Sequence, residues 1–230
     1  MEMNQHSKLY AQPRLFSIDE TSLGTLEIIP KLWFAAEALS SPDSELRKSG
    51  LSEIVDSKSA RLSSLISYIL YTRITDPDLD IRKIVVSTLA NVLRPDDDGL
   101  PAVEDVRINL YTLLSQMDFS QARYLLHLAA YDPATMTDVE ILLRACTYAG
   151  DYLTDIITDR SESLEVREMS ANYIGRIGYL DAQPALRRFA NKLEAKLNGQ
   201  QAMPFNLSYD NSEITLLPSV RKALEYLQSP

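Results

Sequence analysis

Three segments of this chain align without gaps on an arginine. They are Asp43-Ser-Glu-Leu46-Arg47-Lys48, Asp78-Leu-Asp-Ile81-Arg82-Lys83 and Ser163-Leu-Glu-Val166-Arg167-Glu168. In each an apolar residue precedes the arginine, and further apolar or small residues follow five and eight positions after that apolar residue: Leu51 and Ile54, Val86 and Leu89, Ala171 and Ile174. Those offsets share one side of a helix. Ala122-Arg123, followed by Tyr124-Leu125-Leu126, is a weaker fourth copy. Arg47, Arg82, Arg123 and Arg167 stand 35, 41 and 44 residues apart. A unit of that length holds two helices and cannot bury its apolar face alone, so neighbouring units must stack.

The segments also carry helix-start chemistry. In Ser41-Pro42-Asp43 and Asp76-Pro77-Asp78 a residue able to cap precedes a proline, which lacks the N–H that a first turn leaves unpaired. Asp78, Asp80 and Glu45 favour the positive end of the helix dipole. Asp132-Pro133 repeats the device. The pattern predicts first helices over 43–56, 78–93, 118–131 and 163–177. Second helices are predicted over 59–73, 101–116, 137–157 (bent near Gly150) and 182–197. A short helix over 32–40 and a last one over 218–228 would cap the ends.

The stretch Val166-Arg167, Ala171, Ile174-Gly175-Arg176-Ile177-Gly178, then Asp181 and Pro184-Ala185-Leu186, resembles HEAT repeats. It is most similar to the HEAT-like subtype named after phycobilisome lyases, and the resemblance covers about residues 40–198. It implies an all-α, right-handed α-solenoid of the armadillo type, with about four helix pairs and terminal capping helices. The domain would span 32–230, after a partly irregular segment 1–31. First helices would line its convex side and second helices its concave side. The resemblance implies that Arg47, Arg82, Arg167 and, in the degenerate third copy, Arg123 form a structural ladder with acidic or carbonyl groups. The family spans lyases, scaffolds, adaptors and regulators, so the fold does not choose among them.

Composition narrows the function. The net charge is −9, and residues 99–160 hold nine acidic and four basic side chains. Nucleic-acid binding needs clustered cations that displace counterions, and this acidic protein is not expected to bind nucleic acid. No run approaches the roughly 20 apolar residues of a membrane span, so no membrane partner is expected. One cysteine, Cys146, and no signal-like N-terminus point to the cytoplasm.

Catalytic, metal and cofactor motifs are not found. Asp96-Asp97-Asp98-Gly99 would place the first ligand of a calcium loop at Arg94, so it reads as a polar turn. His127 reads as a core or groove-edge residue and Cys146 as buried and inert. The expectation is therefore a non-catalytic scaffold or adaptor that holds a protein partner on its concave face, on a C-terminal insertion, or on both. Tyr68, Arg107 and Tyr111 form a candidate hot spot, against the alternative of tyrosines completing a core. Arg188, Lys192 and Lys196 form a basic stripe able to receive an acidic peptide, against a plain solvated face. The insertion, 199–216, carries Phe205 and Tyr209 and reads either as a binding loop or as a cover for the last repeat. Two other functions stay open: a bilin-handling lyase or chaperone, and a HEAT-like DNA glycosylase. The acidic charge and the position of Trp33, ahead of the repeats, weigh against the second.

Overall fold

The computed structural model describes residues 25–202 and 211–228, and among them the chain is helical, without a strand. The helices are α1 (Thr25–Ala38), α2 (Ser44–Asp56), α3 (Ser64–Tyr71), α4 (Leu79–Leu93), α5 (Glu104–Ser115), α6 (Phe119–Tyr131), α7 (Met136–Ala145), α8 (Ala149–Thr158), α9 (Leu164–Ile177), α10 (Gln183–Ala202) and α11 (Leu217–Gln228). Short 3-10 turns occupy Ser59–Arg61, Pro133–Thr135, Leu180–Ala182 and Asn211–Leu216.

The repeated segments start their helices as the pattern requires, with a change of roles at the caps. Asp43 and Asp78, each following a proline, are the N-caps: Asp43 accepts from the Glu45 N–H, and Asp78 from those of Asp80 and Ile81. Asp118 caps α6 in a reciprocal box with Gln121, and Ser163 caps α9. Asp76 is therefore not a cap, and its carboxylate is left for another task. Gly178, at φ 86°, ends α9 in the left-handed conformation.

Three predicted helices differ in extent. The helix expected after Pro30 starts at Thr25, with the exposed Pro30 inside it. The helix expected over 59–73 is a 3-10 turn and then α3, because Lys58 turns left-handed at φ 51° and Ser63 caps anew at Ile66. The helix expected over 137–157 is two helices, and the break falls at Cys146–Tyr148 rather than at Gly150. There the Thr147 N–H turns to the Ser115 carbonyl at the end of α5. The region expected as an insertion begins inside α10 and ends in a 3-10 turn, Asn211–Leu216.

Helices pack on helices throughout: α1 on α2, α2 on α4, α3 on α5, α4 on α7, α6 on α8 and α9, α8 on α9, and α11 on both α9 and α10. One continuous apolar core runs from Leu32 through Leu89, Leu110, Leu142 and Ile174 to Leu227. Among the described residues no helix is long and apolar enough to cross a membrane.

Two glycines set how closely helices approach. A Cβ on Gly50 would stand 2.6 Å from the Ala35 carbonyl oxygen and 2.9 Å from the Ala38 Cβ, so α2 lies directly on the α1 backbone. A Cβ on Gly175 would stand 2.8 Å from the Ala223 Cα, so α9 and α11 meet in the same way. Backbone cannot swing aside as a side chain can. Gly175→Ala is expected to lower the urea midpoint by the equivalent of about 1–3 kcal/mol, despite alanine's better helix propensity.

Candidate functional site

The repeat arginines sit in the first turns of their helices, where a long side chain reaches the loop before a neighbouring helix. Arg47 is buried and gives Nε and Nη2 to the two oxygens of Asp76, at 2.9 and 3.0 Å. Its Nη1 donates to the Ser41 and Pro42 carbonyls. Asp76 also accepts from the Asp78 N–H at 3.0 Å, so one buried carboxylate joins the start of α2 to the start of α4. The bond to Asp76 raises the Arg47 pKa against the opposing effect of burial. A planar guanidinium meeting a carboxylate edge-on is the strongest form of such a pair.

Arg123 repeats the arrangement, with Nε on Glu162 Oε1. Glu162 is buried and precedes the cap of α9, and its second oxygen lies 2.9 Å from His127 Nε2. His127 is thus a half-exposed partner of a buried acid rather than a core residue.

Arg167 donates Nε to the Ile157 carbonyl at 2.8 Å and Nη2 to Glu213 Oε1 at 2.9 Å. Glu213 also meets Lys196 and, at 3.3 Å, Arg160. Burial alone would raise the Glu213 carboxyl. The bonds from Lys196 and Arg167, with the charge of Arg160, reverse that and hold it down at about 2.

Arg82 differs. It is 7% exposed and lies 4.9 Å over the Tyr124 ring, and neither Nε nor Nη1 has an acceptor among the described residues. The sequence singles out these arginines. It does not single out Asp76, Glu162 and Glu213, although each stands two to four residues before a helix start, at Leu79, Leu164 and Leu217.

The remaining candidates divide. Tyr68 is 49% and Tyr111 45% exposed, on the neighbouring helices α3 and α5. Those helices are cross-linked by Asn109 Nδ2 donating to Ser64 Oγ at 3.1 Å. Leu65 and Ile108, three residues before each tyrosine, are exposed as well, while Ile66, Leu70, Val106, Leu110 and Leu114 carry the core. Tyr148, held next to the end of α5 by Thr147, is also exposed. Arg107 is half-buried beside this patch on α5. Lys196 is drawn onto Glu213, whereas Arg188 and Lys192 are exposed on α10. Phe205 and Tyr209 lie outside the described residues.

Asp96 accepts from the Asp98 and Leu100 N–H groups, a polar turn pinned by Arg61 donating to the Leu100 carbonyl at 2.7 Å. Cys146 is buried, and burial pushes its thiol up. Among the described residues no group of His, Cys, Asp and Glu is placed to hold a metal ion.

These features define the class: a protein that is helical throughout its described residues, in which arginines pair with buried carboxylates and so tie the start of one helix to the approach of another. Comparison with protein-family models matches none of them, and comparison with curated proteins finds no match.

Glu213→Gln would leave Arg167 buried beside an amide, and it is expected to cost about 3 kcal/mol in urea unfolding at pH 7. The pH dependence has a definite sign. A carboxyl lowered in the folded state stabilises fully above its ordinary value near 4.5, and that contribution is lost as pH falls towards 2. The stability gap between the native protein and Glu213→Gln is therefore expected to hold from pH 7 to 5 and to close between roughly pH 4.5 and 2.

Proposed function

We propose that this chain is a non-catalytic scaffold, an α-solenoid of HEAT-like helix pairs that holds a protein partner on the face of its second helices. The observation that carries the reading is the exposed apolar face of α3 and α5. Leu65, Tyr68, Ile108 and Tyr111 lie at three-residue spacing on two helices that pack side by side. Soluble surfaces scatter such residues singly, and a contiguous group marks an interaction site. Tyrosine suits the role because it buries a large area at the cost of few rotatable bonds, and its hydroxyl is free to pair with a partner's polar groups.

The repeat arginines support the repeat reading. The same residue type, at the same place in the repeated segment, closes on an acid ahead of another helix at α2, α6 and α9. A frame fixed in this way presents a preformed surface, so little ordering entropy is lost on binding. The basic residues Arg188 and Lys192 on α10 offer a second contact to an acidic segment of the same partner.

The test is affinity capture from the native lysate with the wild-type chain, Tyr68→Ser/Tyr111→Ser, and a deletion confined to residues 203–210. That deletion leaves Glu213 in place. The expected outcome is a specific protein partner whose affinity falls about tenfold or more in the double variant, with the helical circular dichroism unchanged. A partner lost only on the deletion would move the site to the insertion. Capture of no protein by the wild type would overturn the scaffold reading.

A further inference from the structure

The first and last helices of the described chain are finished differently. α11 packs on both α9 and α10. α1 packs on α2, and its far side stays open among the described residues. Pro30, Trp33, Phe34 and Glu37 recur on that side at three- and four-residue spacing, and all are exposed, Trp33 and Phe34 at 68% each. Leu32, Ala35 and Leu39 hold the opposite side in the core. Next to Phe34 an open cleft of about 370 Å³ lies between α1 and α2, bordered by Ala38, Ser49, Gly50 and Glu53. Leu46, one turn before Gly50 on α2, is exposed as well.

Size and charge choose what covers this face. At 68% exposure the two aromatic rings leave roughly 200–340 Å² in water. A stable dimer buries about 800 Å² on each partner, so the patch is small for a second copy and suits a short segment. Glu37 on α1 and Glu53 at the cleft add negative charge, and neither carboxylate meets a cation among the described residues. The occupant should therefore be short, apolar and basic. Residues 8–16, which lie ahead of the described ones, read Lys8-Leu9-Tyr10-Ala11-Gln12-Pro13-Arg14-Leu15-Phe16, with two cations, no acid and four large apolar side chains. Residues 17–24 join them to Thr25. That connection, fully extended, spans about 26 Å. Trp33 and Phe34 stand about 12–14 Å along α1 from Thr25, so the chain is long enough to turn back over them.

We propose that residues 8–16 of this chain cover the exposed side of α1, with Leu15 and Phe16 against Trp33 and Phe34 and Arg14 beside Glu37 and Glu53. The segment closes the first helix pair as α11 closes the last. It removes from water an apolar patch that would otherwise invite contact between copies. The proposal does not rest on the scaffold reading, and it leaves the face of α3 and α5 open.

Trp33 is the sole tryptophan of the chain, so its fluorescence reports on this face alone. Acrylamide quenching of the full chain is measured at pH 7 over a dilution series, with mass followed by light scattering, beside Leu15→Ser/Phe16→Ser and Arg14→Glu. The expected result is a monomer with a shielded Trp33. The quenching constant should rise about twofold or more in Leu15→Ser/Phe16→Ser, as the ring regains its 68% exposure, and by less in Arg14→Glu, with the helical circular dichroism unchanged. A folded wild-type monomer whose Trp33 is quenched as freely as N-acetyltryptophanamide would overturn the proposal, even if neither variant folds. Equal shielding in the wild type and both variants would overturn it too. Shielding that is lost on dilution, as a dimer dissociates, would replace the segment by a second copy of the chain.

Discussion

A guanidinium taken out of water is costly unless a carboxylate meets it in a fixed place, and much of this structure follows from the way Arg47, Arg123 and Arg167 are met. Arg47 and Arg167 are buried, where an unpaired charge is strongly destabilising. Each can be satisfied only if the loop ahead of another helix comes to it with an acid in the right position. Asp76 and Glu213 meet that demand, and Glu162 does the same for the more exposed Arg123. Apolar packing alone allows helices to slide by a turn at modest cost. A bidentate pair such as Arg47–Asp76 does not, so the arginines act on register more than on net stability.

Much of the frame was legible in the sequence. The repeated apolar–arginine segments gave α2, α4 and α9 nearly to the residue, because periodicity, caps and dipole charges agree there. The acids were not legible in the same way. Their distances from the arginines are 29, 39 and 46 residues, set by the varying lengths of what lies between. No fixed spacing marks them. Asp76 was further disguised as a cap, since Asp-Pro is a common helix opening and Asp78 stands ready to do that work. The break between α7 and α8 depends on the Thr147 N–H reaching the Ser115 carbonyl, a contact between distant residues that local propensity does not encode. The candidate surface was half legible: Tyr68 and Tyr111 stood out, but Leu65 and Ile108 join them only once α3 and α5 lie side by side.

The proposed scaffold uses the two kinds of surface differently. Pairs that are buried hold the helices, and side chains left on the outside of α3, α5 and α10 are available to a partner. Lys196 shows the division within one basic stripe: it turns inward to Glu213, while Arg188 and Lys192 remain exposed. Arg82 is placed like a structural arginine and, among the described residues, lacks the acid that would make it one.

If these pairs fix the helices, each arginine and its acid act as a coupled unit. A double-mutant cycle at Arg47 and Asp76 tests it directly, with Arg47→Met, Asp76→Ala and the combined variant unfolded in urea. The account predicts that the combined variant is clearly more stable than the sum of the two single losses allows, because each single change strands a buried charge and the pair of changes does not. Strictly additive losses would contradict it, and would mean that the helices are held by apolar packing to which these pairs contribute nothing specific.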